Sequence, residues 1–415
     1  MNHKFFYGST IHLYKNNLNK HIRIAVFNLM LVALLGALLR YKIAFYLPFI
    51  DQGFVLHAHS HFAFAGWVSY ALMSLAANYL IAHAGIRQHT LIAKYNKLLY
   101  ANLIAAYGML FTFSFQGYGA LSIAFSFVAI VVSYIFSICF VKDMVCLHIH
   151  PVVRFWFTGA LFFNVLSSLG TFYLAYLTTH HLRGNLYLAS VYFYLHFQYN
   201  GWFLFACIGL LYTLLPAASI NIRRNKLIFF LFFFACIPEY LFSVLWMKLP
   251  PVIYFLVVLS AASQLTGLLF FLRFLKQNFK NIVGISKQVK AFFIVAGLAL
   301  IVKILLQTGS IYIPLNKLVF GFRPIVIGYL HLVFLGVITT FLLGFMQRDT
   351  LKFKLSNASK TSLSVFVASI LLNEALLMLQ GISSLYYIPI PNINYYLLIA
   401  ALIMWASIAY TNYEW

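Results

Sequence analysis

Long apolar segments separated by short polar stretches run along the whole chain. Each is long enough to cross a bilayer core of ~30 Å, which takes about 20 helical residues. The pattern predicts an all-α polytopic membrane protein with twelve transmembrane helices embedded in the lipid bilayer. The predicted segments lie at roughly 23–49, 54–83, 97–116, 119–141, 152–178, 186–216, 226–247, 251–274, 289–311, 318–346, 362–383 and 391–411.

A histidine followed five positions later by a glycine recurs at intervals of 135 residues. The copies at 61–66, 196–201 and 331–336 fall in the second, sixth and tenth predicted helices. Repetition at a fixed period indicates repeated architecture. We therefore expect one transmembrane domain, 1–415, built from three pseudo-threefold sets of four helices. These sets cover approximately 23–147, 151–276 and 288–411.

Composition and charge support a membrane protein. The chain is 63% hydrophobic and 8% charged, a balance that excludes a soluble domain. Its net charge of +22 could suggest nucleic acid as a partner. Most lysines and arginines, however, fall in the predicted loops on one side of the membrane. This asymmetry follows the positive-inside rule, so we expect a bacterial inner-membrane protein with both termini in the cytoplasm and no nucleic-acid partner.

Three histidines lie close together in the second predicted helix. His57 and His61 are four residues apart and share a helix face, whereas His59 points elsewhere. One face could bind a metal or a haem through an imidazole. Alternatively, His57 and His59 belong to a polar helix start near the interface. His61 belongs to the repeat, which favours it as a ligand.

The sixth and tenth predicted helices carry one repeat histidine each. His331 could be a ligand or could bond to a neighbouring helix. His196 could bind a metal, or it could join a hydrogen-bond network with Gln198, Tyr199 or Asn200. Intramembrane polar residues are costly to bury, so each of these histidines is a candidate for function.

A pair of imidazoles from different helices commonly holds a low-spin haem, whose propionates bind cations. Three cations, Arg40, Lys42 and Arg323, lie near helix ends where propionates would emerge, although all could simply extend to the interface. Glu239 and Glu374 are the carboxylates deep in apolar segments, and Lys303 is a comparable amine. Such carboxylates serve proton relays or stay protonated and hydrogen-bonded.

Twelve helices in three groups of four, with histidines on the second, sixth and tenth, resemble the catalytic subunit of haem-copper oxidases and the related nitric oxide reductases. The resemblance implies a b-type haem with two histidine ligands. His331 corresponds to one ligand, and His61, or else His57, would be its partner. His196 corresponds to a ligand of the copper or non-haem iron site.

Two positions depart from that family's pattern. Tyr329 stands where the resemblance implies a high-spin haem ligand, and the seventh helix reads ACIPEY at 235–240, without a histidine pair. The low-spin haem would then remain while the oxygen-reducing centre is lost or rebuilt, with Tyr329 and Glu239 as catalytic candidates. The chain has no CxxCH motif, so its electron donor would be a separate subunit or cytochrome c.

Two other functions stay open. The stretch HAHSH at 57–61 also resembles the His-Ala-His motif of the NnrS proteins. That resemblance implies a haem- or copper-binding protein of the nitric oxide response, without turnover. The third interpretation is a haem-free proton or metal transporter. The resemblance to haem-copper oxidases, by contrast, implies respiratory electron transfer, or the handling of oxygen or nitric oxide by an oxidoreductase.

Overall fold

The chain folds into a bundle of long helices. The computed structural model describes residues 3–182, 184–247, 249–282, 284–312, 314–316, 321–348 and 355–414, with side chains from Asn16 onward. These residues form helices and turns and include no β-strand. The all-α prediction is therefore confirmed for the described part of the chain.

Twelve long helices can be traced in the described residues. The first six are α1 (His3–Ala44), α2 (Gln52–His83), α3 (Gln88–Gln116), α4 (Ala120–Cys146), α5 (Pro151–Thr179) and α6 (185–212). The other six are α7 (Ile222–Glu239), α8 (Pro251–Asn278), α9 (Lys287–Gly309), α10 (Arg323–Met346), α11 (Asn357–Leu385) and α12 (Ile393–Tyr413).

Eleven of these helices are long and apolar enough to cross a membrane, which confirms a polytopic helical protein within the described residues. Helix α6 is the one outside this set. Its middle carries His196, Gln198 and Asn200, which lower its mean hydropathy. Because 196–211 is buried throughout, this part of α6 faces other helices and needs no apolar surface for lipid. A twelfth span stays a prediction.

Side chains and prolines fix where several helices begin. In α2, α7, α9 and α11, the residue before the helix accepts a hydrogen bond from the backbone N–H three positions later, as N-caps do. These caps are Asp51, Asn221, Ser286 and Ser356. Helices α5, α8 and α10 instead have proline in their first turn, where no backbone N–H is needed.

The three copies of the sequence repeat share a π-helical segment. These segments are Ala63–Ser69 in α2, Phe197–Phe203 in α6 and Leu332–Thr339 in α10. Each begins one or two residues after the repeat histidine and contains the repeat glycine. Single π-helical turns inside α-helices are rare and occur frequently at functional sites. The repeat therefore marks one local backbone conformation, used three times.

Polar side chains bond backbone carbonyls in and beside two of the π-helical segments. Asn28 in α1 donates to the carbonyl of Gly66 at 2.6 Å, and Asn102 in α3 donates to that of Ala65 at 3.0 Å. In α10, the hydroxyl of Thr340 donates to a carbonyl of its own helix. Such bonds matter in a bilayer because its core offers no water to backbone groups.

Indole groups join the π-helical segments across the bundle. The indole N–H of Trp67 in α2 donates to the hydroxyl of Thr339 in α10 at 3.0 Å. That of Trp202 in α6 donates to the hydroxyl of Ser69 in α2 at 3.2 Å. In both pairs, the tryptophan follows the repeat glycine by one position and the hydroxyl follows it by three. The same two repeat positions therefore make both interhelical bonds.

The two positions that would make a third such bond are both apolar: α10 has Val337 and α6 has Leu204.

Aromatic rings fill the centre between the three helices. The ring of Phe64 lies 4.7 Å from that of Phe334 and 5.5 Å from that of Phe203, and the last two are 5.9 Å apart. Helices α2, α6 and α10 thus meet around one aromatic cluster.

The remaining helices surround these three. Helix α1 packs against α2 and α12, α11 packs against α10 and α12, and α3 packs against α2 and α4. Helix α5 packs against α6 and α7, α8 against α7, and α9 against α10. The repeat histidines therefore lie on inner helices, near the end where α2, α6 and α10 begin. We call this the histidine end.

The close approach at Gly201 predicts a sharp response to a single methyl group. A Cβ there would lie 2.3 Å from the Cβ of Phe163 in α5, which cannot turn away. We expect Gly201→Ala to lower the free energy of unfolding by about 1–3 kcal/mol through overpacking. Thermal unfolding in detergent micelles would measure it.

The matched control is Gly297→Ala in α9, where a Cβ meets nothing within 4 Å. It should be neutral or slightly stabilising, because alanine favours a helix over glycine. Equal effects of the two substitutions would contradict the described packing of α6 on α5.

Candidate functional site

The histidines of α2 divide between two faces of the helix. The imidazole of His61 stacks on the ring of Phe113 at 4.2 Å, and its Nε2 lies 3.3 Å from the hydroxyl of Tyr118. The ring of His57 lies 4.6 Å from that of Tyr118. His57 and His61 therefore share the face toward α3, as their spacing predicts.

His59 lies on the opposite face, toward α1. Its Nδ1 is 3.1 Å from the carbonyl oxygen of Val32. Gly36, one turn further along α1, packs beside the ring, because a Cβ there would lie 3.4 Å from His59 Cε1, in van der Waals contact. This histidine therefore occupies the groove between α1 and α2.

His331 in α10 lies near His59. Its Nδ1 lies 2.8 Å from the carbonyl oxygen of Ile327, one turn earlier in α10. Its imidazole lies within electrostatic range of His59 and of Arg40. The sequence predicted His61, or else His57, as the partner of His331. In the structure, His59 lies within electrostatic range of His331, whereas His57 and His61 pack against Tyr118 and Phe113. Which of the three histidines would be the partner of His331 stays a prediction.

The hydrogen bonds of His59 and His331 define their tautomers. A carbonyl oxygen only accepts, so Nδ1 carries the proton in a neutral imidazole, and Nε2 keeps its lone pair. This arrangement is common among histidines that bind a metal, because the carbonyl orients the ring and raises its basicity. Neither side chain is fully buried by its neighbours. Both Nε2 atoms can therefore act as ligands.

Charged groups lie near this histidine pair. Arg40 and Glu374 interact electrostatically across α1 and α11. Arg323 is exposed in the first turn of α10, at the histidine end. Lys42 is already engaged, since its ammonium donates to backbone carbonyls in the loop after α1. Arg40, near His331, and Arg323, at the histidine end, could therefore bind an anionic group.

His196 uses both of its ring nitrogens. Its Nε2 donates to the carbonyl of Cys236 in α7 at 2.8 Å, and its Nδ1 accepts from the amide of Asn200 at 3.0 Å. The Cys236 carbonyl is available because the N–H of Tyr240 bonds elsewhere at the end of α7. These contacts match the hydrogen-bond alternative. A metal ion at His196 stays a prediction that would require one bond to break.

Tyr329 and Glu239 belong to one buried polar cluster. The amides of Gln264 in α8 and Gln307 in α9 both donate to Glu239 Oε2, at 2.6 Å and 3.3 Å. The hydroxyl of Tyr329 donates to the carbonyl oxygen of Gln307 at 3.5 Å. Lys303 lies within electrostatic range of Glu239. Where the resemblance implies metal ligands, the structure thus has a hydrogen-bonded cluster.

Some of these partners could not be found from the sequence. The carbonyls that orient His59 and His331 belong to Val32 and Ile327, and any residue supplies such a group. Gln264 and Gln307 carried a signal, because each is an amide inside an apolar segment. Within the described residues, no three histidine, cysteine or carboxylate side chains are grouped to hold a metal ion.

Comparison with known proteins assigns the chain to no family. No family model matches the chain, and none of the curated proteins is significantly similar to it. Any functional conclusion must therefore come from the residues of the site.

The network around His196 predicts a structural role for Asn200. Asn200→Leu removes the donor to His196 Nδ1 and leaves a buried acceptor unpaired, which costs about 1–3 kcal/mol. We expect that loss in chemical unfolding of the purified protein. Asn281→Leu, at an exposed amide, should change little. Unaltered stability of Asn200→Leu would mean that His196 has another partner.

Proposed function

We propose that this chain is an integral membrane haem protein that holds a b-type haem between α2 and α10. The ligands would be His59 and His331. One observation carries the proposal: two imidazoles from different helices lie within electrostatic range of each other, and each has its Nδ1 bonded to a backbone carbonyl. The divergent haem-copper oxidase pattern supports the same role for α2 and α10, with His59 in place of His61.

The residues around the pair fit a haem. The donor set is two neutral imidazoles, the usual ligands of a low-spin haem. The His59 ring packs beside Gly36 of α1. Arg40 lies within electrostatic range of His331, and Arg323 lies at the histidine end, so both could bind propionates. When bound, such a haem supplies reversible transfer of one electron.

The protein's own groups would hold that site in place. The carbonyls of Val32 and Ile327 keep both rings in the tautomer that leaves Nε2 unprotonated. Because His59 and His331 would both bind the haem, we propose electron transfer at this site.

A separate cluster contains His196, Glu239 and Tyr329, where we propose no oxygen or nitric oxide reduction. All three residues are engaged in hydrogen bonds to protein groups. Their contacts favour a centre that has been rebuilt without metal ligands. A copper or non-haem iron at His196 would therefore be a separate finding, detectable as metal bound to the wild-type protein and absent from His196→Ala.

We further propose twelve spans in a pseudo-threefold arrangement, in a bacterial inner membrane with both termini in the cytoplasm. The shared π-helical segments and the two tryptophan–hydroxyl bonds support the threefold relation. The distribution of lysine and arginine supports the orientation. Electrons would come from a separate subunit or a cytochrome c, because the chain has no CxxCH motif of its own.

The ligand assignment predicts which histidines are needed for haem. His59→Ala and His331→Ala should each abolish stoichiometric haem binding, because each removes one of the two proposed nitrogen ligands. His57→Ala and His61→Ala are matched controls on the opposite face of α2 and should keep haem. Pyridine haemochrome quantitation of each purified variant, expressed with ample haem supply, gives haem per chain.

Each alternative result has a definite meaning. Loss of haem from His61→Ala with retention by His59→Ala would restore the partner that the sequence predicted. Haem binding with slow reduction and no turnover on nitric oxide would fit an NnrS-like protein. Absence of haem from the wild-type protein would overturn the proposal and favour a transporter.

A further inference from the structure

A carboxylate and an amine are enclosed in the interior of the bundle. The exposed fraction is 0% for Glu239 in α7 and 1% for Lys303 in α9. Burying either charge in a membrane protein is costly, and such residues usually mark pathways or sites rather than packing. The proposed haem site uses neither of them.

The hydrogen bonds of this pair are incomplete on both sides. Glu239 Oε2 accepts from Gln264 and Gln307. The other carboxylate oxygen, Oε1, and the Lys303 amine nitrogen are both buried without a hydrogen-bond partner. The two groups influence each other electrostatically, yet they do not form an ion pair within 4.0 Å.

A purely structural role does not explain this geometry. A buried polar network stabilises a fold when all its members are satisfied, and a partly satisfied network is worse than apolar packing. A structural pair would close into a direct ion pair. Here, two amides hold one carboxylate oxygen, while the other oxygen and the amine have no hydrogen-bond partner in the protein.

The other titratable groups near the pair are weak acids or an engaged imidazole. Cys236 in α7 lies within electrostatic range of Glu239 and Lys303, and Tyr329 in α10 lies within range of Glu239. From α6, His196 interacts with Lys303, but both of its ring nitrogens are bonded. Helix α8 contributes Gln264, which carries no charge. Glu239 and Lys303 are thus the groups of this cluster best able to carry charge.

We propose that Glu239 and Lys303 form a proton-exchange site. The carboxyl group of Glu239 gives its proton to water, which breaks the O–H bond and leaves a carboxylate and a hydronium ion. The reverse step takes the proton back. The ammonium of Lys303 stabilises the carboxylate, and the amides of Gln264 and Gln307 keep it in position. This site is independent of the haem ligands.

Infrared difference spectroscopy on the full-length protein in lipid vesicles tests the proposal. A protonated carboxyl group gives a carbonyl stretching band that shifts in D2O if its proton exchanges. We expect the wild-type protein to show such a band, with an amplitude that changes with pH. Glu239→Gln should remove it while keeping an acceptor for Gln264. Glu374→Gln, the control at the half-buried carboxylate in α11, should retain it.

Lys303→Met provides the second measurement. Loss of the positive charge makes the carboxylate less stable, so the band should persist to higher pH by roughly one to three units. This variant keeps Glu239 itself, and therefore also reports on the site if Glu239→Gln folds poorly. The proposal would be overturned by a band whose amplitude does not change with pH and whose frequency does not shift in D2O. It would also be overturned if the pH dependence of the band were the same in Lys303→Met as in the wild-type protein. Retained haem in these variants would separate this outcome from failure of the haem assignment.

Discussion

The close approach of α2, α6 and α10 is the constraint on which the rest of the structure depends. Three π-helical segments meet there around Phe64, Phe203 and Phe334. A bilayer offers no water to backbone groups, so bonds such as that from Asn28 to the carbonyl of Gly66 are needed near a π-helical segment. Because these helices are fixed at their centre, the direction in which each histidine points is fixed as well.

The histidines fall into two groups with different surroundings. On one side, His59 and His331 present ring nitrogens whose tautomers are set by backbone carbonyls, which suits cofactor ligands. On the other side, His196 has both nitrogens bonded and lies near the cluster around Glu239. The proposed electron-transfer site and the proposed proton-exchange site thus both involve α10, the first through His331 and the second through Tyr329.

The sequence predicted much of this arrangement because membrane helices have a strong signal. The apolar segments matched eleven candidate spans, and the repeat located all three π-helical segments without revealing their conformation. The spacing of His57 and His61 correctly put them on one face. The repeat position favoured His61 as the ligand, which stays a prediction. That His59 faces α1 could not be predicted, because the rotation of α2 against α1 is not encoded by any local pattern. Partners such as the Val32 carbonyl and Gln307 depend on the same tertiary packing.

A reduced-minus-oxidised optical spectrum of the purified wild-type protein, with pyridine haemochrome quantitation, tests the central claim most directly. The proposed ligation by two imidazoles from α2 and α10 predicts the spectrum of a low-spin b-type haem at one per chain. A protein that contains no haem after expression with ample haem supply would contradict it, as would a high-spin spectrum, because the paired imidazoles would then have another purpose.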